Sequence, residues 1–182
     1  MKDPVDLQIG DKCFKRLISA QDIECRVKLL ADQIKTNIGN LNCPIFICVL
    51  KGAFVFVSDF IRHYGGNCEV EFLRLASYKG SCSSGKVKTL LGMDFEKVRG
   101  RKVIILEDII ETGLTMENLL STLEKYNPES VEIATLFLKE NKLCHDIKIG
   151  YCCFTIPDKF IVGYGLDYNG LYRNLPAIYT MQ

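Results

Sequence analysis

The sequence predicts an α/β fold in which a mostly parallel, twisted sheet is flanked by helices. Short continuous apolar runs rich in β-branched residues, such as PIFICVL at 44–50, are typical of strands that are covered on both faces. Between such runs lie segments in which apolar residues recur at the spacing of an amphipathic helix. Strands that alternate with helices favour a parallel sheet with crossover helices on both faces.

The first half of the chain begins this alternation. A helix is predicted from Ser19, which with Asp22 resembles a capping box, to Gly39. The further elements predicted here are a strand at 44–50, a helix at 52–64 that ends at Gly65-Gly66, a strand at 69–78 and a Gly/Ser-rich loop at 79–86.

The second half continues in the same way. An apolar strand from Val103 leads into a helix that Asn127-Pro128 ends. The apolar stripe of this helix comprises Met116, Leu119, Leu120, Leu123 and Tyr126, and later strands are predicted at 130–138, 149–155 and 160–164.

Length, composition and charge narrow the class of protein. The 182 residues, 48% hydrophobic and 25% charged, are typical of one globular domain, which we expect to span residues 1–182. Lys and Arg number 23 and Asp and Glu 22, so no overall basic field attracts nucleic acid. No segment approaches the roughly 20 apolar residues of a membrane span. We therefore expect a cytoplasmic protein that acts on neither nucleic acid nor membrane.

Nine cysteines are present, an odd number that includes the adjacent Cys152 and Cys153 and no Cys-x-x-Cys pair. This pattern suits neither a zinc site nor a disulfide framework. We expect reduced and mostly buried thiols.

Residues 103–116, VIILEDIIETGLTM, place chemistry at the end of a strand. Ligands of open parallel sheets bind beyond the carboxyl ends of the strands, where Glu107 and Asp108 are predicted to lie. Backbone amides of residues 111–115 at a helix N-terminus would form an anion nest, with Gly113 permitting a tight turn. A ligand with both a phosphate and a sugar diol would satisfy amides and carboxylates together.

Other interpretations of this stretch stay open. Acids before a helix also cap it and complement its dipole by about 0.3–1 kcal/mol each, and Thr-Gly pairs occur in ordinary loops. The chain lacks the Gly-x-x-x-x-Gly-Lys-Ser/Thr and Gly-x-Gly-x-x-Gly patterns, which disfavours the two nucleotide-binding classes that use them.

Residues 103–116 closely resemble the phosphoribosyl pyrophosphate motif of type I phosphoribosyltransferases, specifically of the hypoxanthine-guanine phosphoribosyltransferases. Four further segments resemble signatures of that family in the same order: CVLKGAFVFVSDF (48–60), ASYKGSCSSGKVK (76–88), TLFLKE (135–140) and IPDKFIVGYGLDYNGLYRNLP (156–176). The resemblance implies the type I phosphoribosyltransferase fold, with a small hood of N- and C-terminal segments. It also implies transfer of phosphoribose to hypoxanthine, guanine or, as a third candidate, xanthine.

The resemblance assigns the sugar-phosphate site. Glu107 and Asp108 would bind the ribose hydroxyls directly or with Mg²⁺, and residues 111–115 would cradle the 5′-phosphate. The residues of that cradle are Glu111, Thr112, Gly113, Leu114 and Thr115. Lys51 and Gly52 match the pyrophosphate loop, in which family members have a cis peptide bond. Without the resemblance, Lys51-Gly52 would also fit an ordinary strand-to-helix turn.

The resemblance also assigns the base site. Lys139 matches a lysine that donates to the purine 6-oxo group, Phe160 matches the ring that stacks on the base, and Ile161 contributes backbone groups to its edge. As isolated features, a lysine at a strand end is usually a solvated charge and an aromatic residue in FIVGY usually belongs to the core.

Residues around the leaving group and the closing loop complete the assignment. Asp167 matches a carboxylate near a second Mg²⁺ and the purine, and Arg173 matches an arginine that reaches the pyrophosphate. Ser77 and Tyr78 head the loop that closes over the reacting centre in this family. In isolation, residues such as Asp167 and Arg173 are more often surface charges.

Glu111 departs from the family pattern, which usually has Asp at this position as the acceptor of the purine imidazole proton. The extra methylene moves the carboxylate oxygens by about 1 Å or more, and misplacement on that scale can cost about 10²-fold in rate. The general-base assignment is therefore a specific question for this chain.

Two alternatives remain at the level of sequence. A xanthine- or uracil-directed transferase would share the phosphate loop, whereas a nucleotide-sensing regulator of the same fold would bind RNA or DNA. The segments around Lys139 and Phe160 favour a 6-oxopurine, and the near-zero net charge disfavours a nucleic-acid partner. We expect phosphoribosyl pyrophosphate and a 6-oxopurine as ligands, Mg²⁺ as cofactor, and a homodimer or homotetramer.

Overall fold

A six-stranded sheet lies at the centre of the computed structural model, which describes residues 4–39, 43–77 and 87–181. The strands in chain order are β1 (Asp6–Ile9), β2 (Lys12–Ile18), β3 (Ile45–Leu50), β4 (Glu69–Ser77), β5 (Val87–Leu91), β6 (Lys102–Ile110), β7 (Ser130–Leu138), β8 (Tyr151–Thr155), β9 (Ile161–Val162) and β10 (Ile178–Met181). The α-helices are α1 (Ala20–Ile38), α2 (Phe54–Tyr64) and α3 (Leu114–Leu123).

The central sheet has the strand order β5-β4-β3-β6-β7-β8. Strands β4, β3, β6, β7 and β8 pair in parallel, and β5 pairs antiparallel with β4 at one edge. Phe46 and Cys48 of β3 join α1 and α2 in one buried cluster, whereas Ile45 and Ile47 join α3 in another. The predicted mostly parallel sheet with helices on both faces is confirmed.

The helix ends follow the predicted signals, with one difference. The Ser19 side chain accepts a hydrogen bond from the amide of Asp22 at the start of α1, and Gly65 ends α2 in the left-handed conformation. The helix α3 ends at Leu123, earlier than predicted, and Tyr126 lies in a 3₁₀ turn stacked on Phe95. Such tightening of the last turn satisfies carbonyl groups that have no partner at a helix end.

A second, antiparallel sheet in the order β1-β2-β10-β9 forms the hood, so the hood of N- and C-terminal segments is confirmed. The sequence patterns did not indicate β1, β2 or β10, because β1 and β10 have only four residues each and β2 buries Phe14 alone. The strand predicted at 160–164 is reduced to β9 and belongs to the hood. Gly163 and Tyr164 have positive φ and turn the chain away.

The predicted loop at 79–86 lies outside the described residues. Among the described helices, none is long and apolar enough to cross a membrane.

The eight described cysteines are free thiols, but the expectation that most are buried is wrong. Cys13, Cys25, Cys43 and Cys144 are exposed, and Cys48 and Cys153 are buried. The count of cysteines in the sequence carries no information about which face of a strand or helix each one occupies.

Thiol reactivity at pH 8 should separate these two groups. Burial raises the pKa of Cys48 and of Cys153 to about 12, so both thiols stay protonated and unreactive in the folded protein. Exposed Cys13 and Cys25 should be alkylated by iodoacetamide first, as followed by peptide mass spectrometry, and all cysteines should react in denaturant. Labelling of Cys153 as fast as Cys25 in the folded protein would contradict the buried position.

Candidate active site

A cavity of about 360 Å³ opens at the edge of the central sheet where parallel strands end. Its wall is formed by the ends of β3, β4 and β6 and by the start of α3, which is where ligands of parallel sheets bind. The predicted site residues that line it are Glu107, Asp108, Glu111, Thr112, Gly113 and Thr115.

Two adjacent carboxylates form the floor of this cavity. Glu107 and Asp108 are each 8% exposed, although neighbouring residues of a strand usually point to opposite faces. Burial, and then the negative charge of Asp108, raises the pKa of Glu107 well above its usual value. In the ranges that the structure describes, no Lys or Arg forms an ion pair with either carboxylate. The floor is therefore a buried site for positive charge or hydroxyl groups.

The loop after β3 lies directly against these carboxylates. The Leu50–Lys51 peptide bond is cis, as the resemblance implies, and the Lys51 side chain is exposed. A Cβ atom on Gly52 would overlap the carboxylate of Asp108, and a Cβ atom on Gly165 would overlap the carbonyl oxygen of Gly52. The strand β6, the loop after β3 and the hood thus meet through glycine backbone.

The predicted anion nest lies at the start of α3. Gly113 is its N-cap with a φ of 90°, and the amide of Leu114 donates to the Thr112 hydroxyl at 3.4 Å. Behind the loop, the amides of Cys144 and His145 donate to the Thr112 carbonyl at 3.1 and 3.2 Å. This support holds the loop at the start of α3, where the first amides of a helix have no partner within the helix.

Lys139 follows β7 and is only 5% exposed. Its ammonium forms ion pairs with Glu111 and, at 3.3 Å, with Asp158, which also pairs with Lys142 at 2.9 Å. The Lys142 and Lys139 ammonium groups hold the pKa of Asp158 below its usual value. Sequence reasoning assigned Glu111 and Lys139 separately and missed Asp158. The sequence feature that pointed to Asp158 was its position in IPDKF, two residues before Phe160.

The two residues predicted to contact the base lie side by side in the hood. The Phe160 ring is 44% exposed and meets Tyr168 edge to face, with centroids 5.7 Å apart. Ile161 is buried in β9 and is paired with Thr180 of β10. An exposed ring with a buttressed edge is a surface on which a flat ligand can stack.

Asp167 and Arg173 are held together within the hood. The Arg173 guanidinium donates to the Asp167 carboxylate and, at 2.6 Å, to the Gly165 carbonyl. Arg173 lines a second cavity, of about 490 Å³, beside α2 and does not line the cavity of the carboxylate pair. Ser77 is the last residue of β4, and Tyr78 lies outside the described residues.

The described residues contain no group of three or more His, Cys, Asp and Glu side chains arranged as metal ligands. Mg²⁺ commonly uses only one or two protein carboxylates and takes its other oxygens from substrate phosphates and water. The buried Glu107 and Asp108 pair fits that requirement, since both carboxylates lack a cationic partner among the described residues.

Comparison with known proteins assigns the chain to a family. Residues 15–169 match the model of the phosphoribosyl transferase domain. The chain belongs to the phosphoribosyltransferase family. The hypoxanthine-guanine phosphoribosyltransferase of Streptococcus thermophilus (strain CNRZ 1066) is 42% identical over 165 residues, which cover 90% of this chain and 91% of that protein.

Two further comparisons agree with this phosphoribosyltransferase assignment. The hypoxanthine-guanine-xanthine phosphoribosyltransferase of Tritrichomonas foetus is 37% identical over 170 residues, or 92% of this chain and 91% of that protein. A crystal structure of a hypoxanthine-guanine phosphoribosyltransferase from Bacillus anthracis superposes with a TM-score of 0.86 and 38% identity, covering 92% and 96% of the two chains.

In this phosphoribosyltransferase, Gly52→Ala should lower the free energy of unfolding by about 1–3 kcal/mol, because the new methyl group would displace the Asp108 carboxylate. Gly150→Ala is the control, since the nearest atom to its Cβ would be the movable end of Glu132, at 3.1 Å, and the nearest backbone atom, the Ile133 carbonyl oxygen, would lie at an ordinary contact distance of 3.5 Å. Urea titrations compare the three proteins. Equal stability of the two variants would show that the packing of Asp108 against Gly52 is not tight.

Proposed function

We propose that the protein transfers the 5-phosphoribosyl group of phosphoribosyl pyrophosphate to hypoxanthine or guanine, giving IMP or GMP and pyrophosphate, with xanthine as a third candidate acceptor. The observation that carries the proposal is one cavity that is lined both by residues of the loop at 111–115 and by the buried Glu107 and Asp108 pair, with Lys139 in contact with Glu111. The relatives named above support the same reaction.

The sugar end of the substrate would occupy the floor and the nest. Glu107 and Asp108 would accept hydrogen bonds from the ribose hydroxyls, and the outward amides of residues 111–115 would bind the 5′-phosphate. The backbone of Lys51 and Gly52 would face the pyrophosphate. Glu107 and Asp108 would hold Mg²⁺, the proposed cofactor, which would supply positive charge that stabilises the leaving pyrophosphate.

The leaving group sets the electrostatic requirement of the reaction. The bond from the anomeric carbon to pyrophosphate breaks with oxocarbenium-like character in the sugar, as in glycoside chemistry, and negative charge grows on the pyrophosphate. Backbone donors of the loop after β3 would stabilise that charge. Arg173 stays a predicted pyrophosphate ligand. Arg173 also pairs with Asp167 and with the carbonyl of Gly165, and Gly165 packs against the carbonyl of Gly52. These contacts support a second role for Arg173, which is to hold the hood against the loop after β3.

The purine would lie between the hood and the end of β7. Phe160 would stack on the ring, Ile161 would offer backbone groups, and the Lys139 ammonium would donate to the 6-oxo group. Glu111, whose side chain is 43% exposed, would accept the imidazole proton as the new bond to the anomeric carbon forms. Because Glu111 pairs with Lys139, its carboxylate lies beside the group that would recognise the base.

A product assay tests the proposed function directly. Purified protein, Mg²⁺ and phosphoribosyl pyrophosphate are incubated with hypoxanthine, guanine, xanthine, adenine or uracil, and nucleotides are separated by chromatography. We expect IMP and GMP and no AMP or UMP. Formation of UMP alone, or of no nucleotide, would contradict the assignment, and the rate with xanthine ranks the third acceptor.

Glu111→Gln should lower turnover by about 10² or more, because it keeps size and hydrogen bonding but cannot accept a proton. Affinity for phosphoribosyl pyrophosphate should change little, since the nest amides remain. Glu111→Asp, the matched control, should retain activity because it keeps the carboxylate. Near-normal turnover of the Gln variant would remove Glu111 as the general base.

Lys139→Gln should weaken discrimination between 6-oxo and 6-amino purines more than it changes sugar-phosphate affinity. A site built to pair with a polar substrate group rejects analogues that lack it. Because Lys139 contacts Glu111, the effects of Lys139→Gln and Glu111→Gln on kcat/KM should be non-additive in the double mutant. Unchanged base preference would refute the assignment of Lys139.

We also propose that the protein is a cytoplasmic homodimer or homotetramer. Phe54 of α2 and Phe72 of β4 are 44% and 45% exposed and are apolar surface that such an interface would cover. Light scattering of the purified protein measures the oligomer directly.

A further inference from the structure

We infer that Asp158 is a positioning residue that keeps the Lys139 ammonium directed at the purine 6-oxo group during the reaction. The inference rests on the proposed function and adds a determinant of base recognition to it. It starts from the ion pairs that surround Lys139.

Lys139 has a side chain that is only 6% exposed, so its positive charge depends on neighbouring carboxylates rather than on water. The described ion pairs give it two such neighbours, from two separate segments of the chain. Glu111 comes from the loop after β6, and Asp158 comes from the segment that leads into β9. An ammonium held between two carboxylates has a fixed direction as well as a compensated charge.

The two carboxylates are not equivalent once the base is present. In the proposed reaction Glu111 accepts the imidazole proton and becomes neutral, so its charge no longer compensates Lys139. Asp158 then remains as the carboxylate that pairs with Lys139 in the described structure, at 3.3 Å. Without it, a nearly buried ammonium would face a neutral acid and a neutral base.

Asp158 is itself held in place and ionised. Lys142 donates to the same carboxylate oxygen at 2.9 Å, and the two lysines keep the pKa of Asp158 below its usual value. Since its partner Lys142 is 39% exposed, this outer half of the cluster has access to solvent.

Asp158 also lies close in the chain to the ring that would stack on the base. Asp158 is two residues before Phe160, whose ring would stack on the base, whereas Lys139 follows β7. The ion pair between Asp158 and Lys139 therefore joins the two elements that would contact the purine from its face and from its edge. Loss of the pair should affect binding of the base and spare binding of the sugar phosphate.

Asp158→Asn tests the inference, because it removes the charge and keeps the size of an exposed side chain. We expect KM for hypoxanthine to rise about tenfold, as for loss of a hydrogen bond to a charged group. KM for phosphoribosyl pyrophosphate should stay within about twofold of the wild-type value, with a smaller change in kcat than in KM for the base. Asp158→Glu should restore most of the base affinity.

Glu140→Gln is the matched control. Glu140 is exposed, adjoins Lys139 in sequence, and has no ion pair with Lys139 among the described residues, so its neutralisation changes the local charge by the same amount. It should leave both KM values unchanged. An equal effect of Glu140→Gln, or an equal rise of both KM values in Asp158→Asn, would overturn the positioning role.

Calorimetric titration with IMP and AMP gives a readout that does not need turnover. Asp158→Asn should weaken binding of IMP about tenfold and leave binding of AMP unchanged, because only IMP has the 6-oxo group. Active wild-type enzyme together with unaltered IMP affinity in Asp158→Asn would refute the inference alone. Absence of transfer to any 6-oxopurine by the wild type would refute the proposed function, and the inference with it.

Discussion

The contact between the Asp108 carboxylate and the backbone of Gly52 is the constraint on which the geometry of the site depends. Asp108 ends a buried stretch of β6, and no side chain larger than hydrogen fits at position 52 beside it. The Gly52 carbonyl is in turn covered by Gly165 of the hood. One stack of three backbone segments therefore sets the distance between the carboxylate pair, the loop after β3 and the segment that carries Asp167 and Arg173.

The charges around this stack are divided into two regions with different balance. Glu107 and Asp108 are buried without a cationic partner among the described residues, and the pKa of Glu107 is raised accordingly. Lys139, Glu111, Asp158 and Lys142 instead form a cluster of two positive and two negative groups. In the first region, we propose that the ligand brings positive charge or hydroxyl donors. In the second, we propose that a base replaces one of the internal contacts.

The sequence predicted the helices whose signals lie within one segment and the strands that are covered on both faces. The helix α1 has its cap and its apolar stripe within one segment, and β3 is apolar throughout. The hood strands β1, β2 and β10 could not be predicted by pattern, because β1 and β10 are four residues long and β10 pairs with β2 from the opposite end of the chain. The prediction that most cysteines are buried was wrong for a related reason, because the exposure of each thiol depends on the tertiary packing around it.

The candidate site divides in the same way. Glu107, Asp108 and the loop at 111–115 are continuous in sequence, and the family resemblance located them together. The ion pairs of Lys139 join residues 28 and 19 positions apart, so they exist only after the end of β7 approaches the loop after β6 and the segment before β9. No local pattern marks Asp158 as a partner of Lys139. The tertiary structure was needed to identify it.

We propose that the buried carboxylate pair binds the sugar end of phosphoribosyl pyrophosphate together with Mg²⁺. Calorimetric titration of phosphoribosyl pyrophosphate into wild-type protein and Asp108→Asn, with Mg²⁺ and with a chelator, measures this binding. We expect binding to the wild type that weakens when Mg²⁺ is removed, and a loss of most affinity in Asp108→Asn while its melting temperature shows a folded protein. Equal affinity of the two proteins in the presence of Mg²⁺ would refute a role of the carboxylate pair in binding this ligand.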